Sequence, residues 1–376
     1  MTNVLITLGV AAAAFALWYL RWSFHAKRYT ESGYVPARPG LAGKWFFGFG
    51  AWLLTTLGVG RVKVKRTAKL PHKMDHVLWA ANHQFPTDFA MLRRGVGRHF
   101  RMLTDSAQLT GFFGVLSAFC GVVSVRFKDK AKDGPAAAEA CTKVVAEKRG
   151  FVNRLVTVGV AAATALSVIV ALGDGGAYAW YAALFFGWAA ATMTWGVGQG
   201  GSLGIFPQGA LIPENEMPAY DGNFHYGSFR PGAIKMARDA AAATGEPVYI
   251  VPVGIYYNRD KKKADWTLRH FAGIRKALNF KGLRNPKAWE PCFKDFKDVD
   301  LSTLPAEKRA EVEAAQAAAM DAYKKSTVIL GGGAVVVGEA LEISTLNSDP
   351  MLATEEVRAR IADLTLQAEK LFNGRR

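Results

Sequence analysis

Residues 76–88 have the sequence HVLWAANHQFPTD, in which a short apolar run passes directly into a turn that holds a histidine and an aspartate. The run from His76 to Ala81 has the length and composition of a β-strand. Asp88 lies five positions after His83, across a turn stiffened by Pro86. A carboxylate that folds back onto one imidazole nitrogen leaves the other nitrogen free to take a proton from a hydroxyl. The spacing predicts such a pair, although an isolated His and Asp at this distance can also arise by chance.

Strand and helix patterns alternate on both sides of this stretch, which predicts an α/β domain. The further strands are predicted at Arg61–Lys65, His99–Leu103, Gly121–Phe127, Ser202–Phe206, Val248–Tyr256 and Ala334–Gly338. Helices are predicted at Pro135–Arg149, Pro231–Ala243, Pro305–Lys324 and Thr354–Phe372. The chain of 376 residues is long enough to bury one large core or two smaller ones.

The amino-terminal segment predicts a membrane anchor over residues 1–22. Val4 to Leu20 carries no charge, and a helix over these residues would be about 26 Å long, which just spans a hydrocarbon core. Basic residues follow this segment and none precede it, so the positive-inside rule places the bulk of the chain on the cytoplasmic side. A cleaved signal peptide is the alternative, but neither a basic leading region nor a small-residue cleavage site is present.

Two further apolar stretches predict lipid contact. Trp45 to Val59 is short, aromatic and flanked by basic residues, so an interfacial helix is predicted over 43–60. Leu155 to Gly198, within an insert at 151–199, has two long apolar runs around a Gly-Asp-Gly-Gly turn and predicts a hydrophobic helical hairpin. A pair of buried core helices is the alternative for this insert.

The charge is strongly positive and unevenly placed. The formal net charge is +16, and most of the excess lies in residues 21–73 and 259–287. No zinc-finger, RRM or basic-zipper pattern accompanies these stretches, so nucleic acid is not the expected partner. An anionic membrane surface fits better, because the first stretch directly follows the apolar segment; a merely solvated basic face is the alternative. The three cysteines, Cys120, Cys141 and Cys292, form no CxxC pair, so neither a structural metal nor a disulfide framework is expected.

Four blocks in order resemble the glycerophospholipid acyltransferase superfamily, the 1-acylglycerol-3-phosphate (lysophosphatidate) acyltransferases in particular. NHQFPTD at 82–88 is similar to the Asn-His-x4-Asp motif of that family. GVVSVRF at 121–127 resembles the strand that carries a phosphate-binding arginine. GIFPQG at 204–209, followed by FRPGA at 229–233, resembles the Phe-Pro-Glu-Gly block, and IVPVGI at 250–255 resembles the closing Val-Pro-Val strand. The blocks span somewhat under half of the chain.

The resemblance implies a mixed β-sheet flanked by helices and transfer of a fatty acyl group from acyl-CoA or acyl-ACP to a lipid hydroxyl. It implies His83 as general base, Asp88 as its orienting partner and Arg126 as the phosphate contact. The other substrate-binding residues that it implies are Asn82, Phe206, Pro207, Gln208, Gly209 and Arg230. It implies no metal and no cofactor beyond the thioester co-substrate, and membrane lipids as partners. The acyltransferase domain would run from 61 to 376, interrupted by the hairpin at 151–199 and a basic insertion at 259–326.

The sequence also departs from the pattern of the family. Gln208 stands where the family usually has a glutamate, and Glu214 or Glu216 are the nearest acids that follow it. The usual Lys-x-Glu-Leu segment between the first two blocks is represented only by SAQL at 106–109. The resemblance therefore supports acyl transfer as a class more firmly than it supports lysophosphatidate as the acceptor.

Two alternatives belong to other functional classes. Residues 200–204 fit the G-x-S-x-G pattern, which would make the protein a membrane serine hydrolase that uses Ser202 with His225 or His270. That elbow requires a strand before the serine and a helix after it, whereas the sequence predicts the reverse order. A non-catalytic lipid-binding protein of the same fold is the second alternative, and Gln208 is its best support.

Overall fold

The computed structural model describes most of the chain outside two long inserts. The described residues are 2–31, 33–70, 74–85, 87–106, 109, 111–125, 130–148, 162, 201–209, 211–212, 215–223, 225, 227–258, 305–310, 313–314, 317 and 331–374. Arg126, the predicted hairpin apart from Ala162, and most of the basic insertion lie outside them.

The elements alternate in chain order as expected for an α/β protein. The described helices of eight or more residues are α1 (Thr2–Lys27), α2 (Leu41–Leu54), α3 (Asp88–Val96), α4 (Gly111–Phe119), α5 (Lys130–Val145), α6 (Gly232–Thr244) and α7 (Pro350–Asn373). The described strands are β1 (Val62–Arg66), β2 (Val77–Ala81), β3 (Arg101–Asp105), β4 (Val123–Val125), β5 (Ser202–Ile205), β6 (Tyr249–Tyr257), β7 (Gly333–Val337) and β8 (Leu341–Glu342). The chain divides into two compact units, one of residues 1–47, 101–140 and 147–201 and the other of residues 48–100, 141–146 and 202–376.

The larger unit contains a mixed sheet in the order β1-β7-β6-β2-β5. Strand β2 is parallel to both β5 and β6, and β1 is parallel to β7. Strand β6 is antiparallel to β7, and β8 pairs antiparallel with the start of β6. All five side chains of β2 are buried, so the strand that leads into the His–Asp turn lies in the middle of the core.

Helices pack closely on this sheet because small residues face them. Helix α7 lies against β6 and β7, where Ala334, Val336, Leu364 and Ala368 form a buried cluster. A Cβ atom added at Gly254 of β6 would come within 2.3 Å of the Leu364 carbonyl carbon, so only glycine allows this approach. This close contact with α7 holds β6 in place, and β6 ends at Tyr257, beside the turn that carries His83 and Asp88.

Two basic side chains of β1 are used inside this unit. The Lys63 ammonium donates to the carbonyls of Leu371 at 2.8 Å and Phe372 at 3.1 Å, at the end of α7. The Arg66 guanidinium donates to the Gly95 carbonyl at 3.1 Å, at the end of α3. Cations stabilise helix carboxyl termini, where carbonyls have no partner in the helix. Part of the basic stretch at 21–73 therefore stabilises the fold itself.

The smaller unit is built on α1, α4 and the parallel pair β3–β4. The rings of Trp18 and Trp22 meet the Phe119 ring edge-on, with centroids 5.3 and 5.5 Å apart. Glu147 accepts from two guanidiniums, those of Arg38 and Arg101, each at 2.9 Å. Arg38 of the basic stretch therefore has an ion-pair partner within the chain, which it shares with Arg101.

All seven predicted strands are confirmed, with ends within two residues wherever the residues are described. The helices predicted at 231–243 and 354–372 are confirmed as α6 and α7. The helix predicted at 135–149 is α5, which begins five residues earlier, at Lys130, and ends four residues earlier, at Val145. Most of the helix predicted at 305–324 lies outside the described residues. Helices α3 and α4 were not predicted. Among the described helices, none is both long and apolar enough to cross a membrane. The anchor over residues 1–22 stays a prediction.

Candidate active site

The turn after β2 brings His83 and Asp88 together. The His83 Nδ1 atom lies 2.8 Å from Asp88 Oδ2. The same carboxylate oxygen accepts the backbone N–H of Gln84, and that of Phe85 at 2.9 Å. Asp88 is the first residue of α3 and its side chain is 0% exposed. These donors compensate for the burial of the carboxylate, and they fold the loop back onto the first turn of the helix.

The hydrogen bond to Asp88 determines which nitrogen of His83 can act as a base. A carboxylate only accepts, so in the neutral imidazole Nδ1 carries the hydrogen and Nε2 has the free lone pair. The ring stacks on the Phe206 ring with centroids 4.1 Å apart and planes within 6°. The His83 side chain nevertheless stays 18% exposed, so the imidazole is held in position and still reachable.

Two buried amides join this turn to β6 near its carboxyl end. Asn82 Oδ1 accepts from the Ile255 backbone N–H at 2.8 Å, and Asn82 Nδ2 donates to the Ile255 carbonyl at 2.9 Å and to Asn215 Oδ1 at 2.6 Å. Gln84 Nε2 donates to the same Ile255 carbonyl at 2.8 Å. Asn82 was predicted to contact substrate, but both hydrogens of its amide are donated within the chain. Its side chain stabilises the turn by linking it to β6.

Gln208 has a similar internal position. Its Oε1 accepts the His83 backbone N–H at 2.7 Å, and its Nε2 donates to the carbonyls of Glu216 at 3.0 Å and Gly227 at 3.3 Å. The side chain is 3% exposed. An amide meets these three groups with the correct donors and acceptor, whereas a carboxylate would face two carbonyl oxygens. The local structure thus accounts for glutamine at the position where the family usually has glutamate.

The 206–209 turn and the segments around it complete the site. Gly209 donates its N–H to the Phe206 carbonyl at 3.0 Å and has φ of +67°, with nothing within 4 Å of an added Cβ. Glycine is favoured here by backbone conformation rather than by space. The backbone N–H of Arg230 donates to the Pro207 carbonyl at 2.9 Å. Of the residues that the resemblance implies, Arg126 alone lies outside the described part.

Tyr257 also belongs to the site, although no sequence motif indicates it. Its hydroxyl donates to Asp88 Oδ1 at 2.5 Å. Burial, followed by the negative charge of Asp88, raises the pKa of Tyr257 well above its usual value, so the phenol keeps its proton and acts as the donor. Nothing in the spacing of a residue 169 positions away predicts this contact.

Ser202 does not lie in a nucleophile elbow. It opens strand β5, opposite Val77 of β2, and its Oγ accepts from the Trp79 indole N–H at 2.8 Å. An elbow places the serine between a preceding strand and a following helix. His225, one of its suggested partners, pairs instead with Asp221 at 3.1 Å on the surface. This geometry disfavours the serine hydrolase alternative.

Comparison with known proteins gives one structural likeness. No family model and no curated protein matches the chain. A match is found with the crystal structure of the 1-acyl-sn-glycerophosphate (LPA) acyltransferase, PlsC, from Thermotoga maritima, at 12% sequence identity and a TM-score of 0.36, covering 96% of this chain and 97% of that chain.

Proposed function

We propose that this protein transfers a fatty acyl group from a thioester of coenzyme A or acyl carrier protein to the hydroxyl of a lysophospholipid such as 1-acylglycerol-3-phosphate. The observation that carries the proposal is the pairing of His83 Nδ1 with the buried Asp88 carboxylate at 2.8 Å. This pair lies in an Asn-His-x4-Asp turn, and the His83 ring stacks on Phe206 at the start of the 206–209 turn.

The geometry suits general-base catalysis at the unbonded nitrogen of His83. In the proposed reaction His83 Nε2 takes the proton of the acceptor hydroxyl while the oxygen forms a bond to the thioester carbonyl carbon. The carbon–sulfur bond then breaks, and the leaving thiolate takes the proton back from the imidazolium. Positioned proton transfer of this kind contributes about 10²- to 10⁴-fold in rate. Asp88 fixes the tautomer and stabilises the imidazolium that forms.

The proposed substrate-binding residues are those that lie in the sequence blocks resembling the acyltransferase motifs. Arg126 is proposed to hold the acceptor phosphate, because a guanidinium donates two parallel hydrogen bonds to it. Phe206, Pro207, Gly209 and Arg230 are proposed to line the bound substrates. Asn82 and Gln208 support the site through the internal hydrogen bonds described above.

A membrane surface is the proposed place of action, with the site on the cytoplasmic side. Exposed aromatic side chains on α1 and α4 support this, including Phe112 and Phe113, which are 52% and 54% exposed. The rings of Phe112 and Tyr19 stack with centroids 6.5 Å apart, so the two helices form one aromatic surface. Arg21 follows this surface along α1. Aromatic rings beside cations favour the boundary between headgroups and acyl chains.

The test is a product assay with labelled acyl donor. The purified chain is incubated with labelled acyl-CoA or acyl-ACP in mixed micelles, with a panel of lysophospholipids that differ in headgroup. The proposal expects a diacyl product with at least one acceptor. Free fatty acid as the only product would favour hydrolysis, and binding of lysolipid without any product would favour the non-catalytic alternative; either result would overturn acyl transfer.

A further inference from the structure

The buried hydroxyl of Tyr257 contacts the oxygen of Asp88 that faces away from His83. The phenol donates to Asp88 Oδ1 at 2.5 Å, and both side chains are buried. The other oxygen, Oδ2, accepts from His83 and from the backbone of Gln84 and Phe85. Both oxygens of the carboxylate therefore accept hydrogen bonds, and they accept them from different donors.

This contact restricts the one soft torsion of the aspartate. Rotation about the bond to the carboxyl group is broad and roughly two-fold for Asp, so three donors on one oxygen do not by themselves fix the carboxylate plane. The donor on Oδ1, Tyr257 of strand β6, fixes it. The plane of Asp88 in turn sets the direction of the hydrogen bond that orients the His83 ring.

Tyr257 is held in place independently of Asp88. Asn82 and Gln84 both bind the backbone of Ile255, two residues before it on β6. The Phe85 ring packs edge-on against the Tyr257 ring, with centroids 4.9 Å apart and planes at 81°. The turn that carries His83 and the strand that carries Tyr257 are thus held together by hydrogen bonds and by ring packing.

The phenol also reduces the charge that Asp88 presents to His83. The titratable groups that bond to Asp88 are His83, from the turn, and Tyr257, from β6; the Thr87 hydroxyl lies 3.4 Å from the phenol. A carboxylate that shares its charge with a second strong donor holds an imidazolium less tightly. Removal of the phenol should therefore make the protonated form of the base more stable.

We infer that Tyr257 is a positioning residue of the proposed reaction, which acts on His83 through Asp88. The inference rests on the proposed acyl transfer. Tyr257 makes no proposed contact with substrate, so its effect belongs to turnover and to proton affinity rather than to substrate binding.

The experiment compares Tyr257→Phe with Tyr256→Phe in the acyl transfer assay. Tyr256 is the next residue on β6, and its ring lies against Phe372, 6.0 Å between centroids, so it is a matched control. For Tyr257→Phe we expect kcat to fall about tenfold and the KM of both substrates to stay within about twofold. We also expect the acid limb of the kcat–pH profile to move upward by about half a pH unit to one unit. Tyr256→Phe should leave all three quantities unchanged.

A second variant does not depend on removing the buried hydroxyl. Tyr257→3-fluorotyrosine keeps the shape of the side chain and makes the phenol a stronger donor, so the acid limb should move to lower pH. Opposite shifts in the two variants support the inference. Unchanged acid limbs overturn it, even if kcat falls, because a merely structural role would reduce the active fraction without moving the profile. The inference on Tyr257 alone fails if the wild-type chain transfers acyl groups, His83→Ala does not, and Tyr257→Phe behaves as wild type. If the wild-type chain transfers no acyl group, the proposed function fails together with the inference.

Discussion

Gln208→Glu is the change that tests most sharply how the site is supported. It replaces an amide with a carboxyl group of almost the same shape. The Gln208 amide donates to the carbonyls of Glu216 and Gly227 at 3.0 and 3.3 Å and is almost fully buried. An ionised glutamate would place a negative oxygen against two carbonyl oxygens, and a protonated one could satisfy only one of them.

The magnitude follows from these contacts. One lost hydrogen bond costs about 1 kcal/mol. Keeping the new carboxyl protonated at pH 7, against an unfolded pKa of about 4.3, costs up to about 3.7 kcal/mol. Since water and small rearrangements relieve part of this, we expect the free energy of unfolding to fall by about 2 to 4 kcal/mol at pH 7.

The pH dependence distinguishes this cause from general damage. Burial raises the folded-state pKa of the introduced carboxyl above its unfolded value, so the destabilisation is smallest below the unfolded pKa. It grows as pH rises through that value and levels off above the folded pKa. Urea unfolding followed by tryptophan fluorescence at about pH 4 and pH 7.5 measures both limits.

Gln367→Glu is the matched control, because Gln367 lies on the surface of α7 and donates to Asp363 at 2.8 Å. We expect it to change the free energy of unfolding by no more than about 0.5 kcal/mol. If Gln208→Glu matched this control at both pH values, or if its destabilisation did not shrink in acid, the internal role of Gln208 would be wrong.

Two further predictions concern the alternatives and the lipid surface. Ser202→Ala should leave the rate of acyl transfer within about twofold of wild type, since its hydroxyl accepts from the Trp79 indole N–H at the start of β5. An acyl transfer assay checks this, and complete loss of activity would restore the hydrolase alternative. Phe112→Ser with Phe113→Ser should weaken binding to anionic vesicles about tenfold or more in a sedimentation assay, since two exposed apolar rings are removed. The circular dichroism spectrum should not change, and undiminished vesicle binding would contradict a role for this surface.

The sequence predicts the strands of this protein well because their composition is distinctive. Strand β2 is buried and β6 consists mostly of β-branched and aromatic residues, so local pattern and tertiary burial agree. The predicted His83–Asp88 contact occurs because the turn is local: both residues and the backbone donors that bind Asp88 lie within 83–88.

Features that depend on distant segments were not predictable. Helix α4 contains two glycines and three phenylalanines, which have weak helix propensity, and its packing against α1 supplies the stability that its sequence lacks. Glutamine is favoured at position 208 because its amide donates to two backbone carbonyls, which lie 8 and 19 residues further along the chain. The alternation of side chains along β6 does not by itself show that Tyr257 faces Asp88. That contact also depends on the register in which β6 pairs with β2.

The role of His83 as general base is tested by comparing His83→Ala with His225→Ala in the labelled acyl-donor assay. Both histidines bond to an aspartate, but His83 lies in the partly buried turn and His225 pairs with Asp221 on the surface. We predict that His83→Ala lowers kcat by about 10²- to 10⁴-fold with unchanged folding by circular dichroism. His225→Ala should keep wild-type turnover. Full acyl transfer by folded His83→Ala would show that His83 is not the general base.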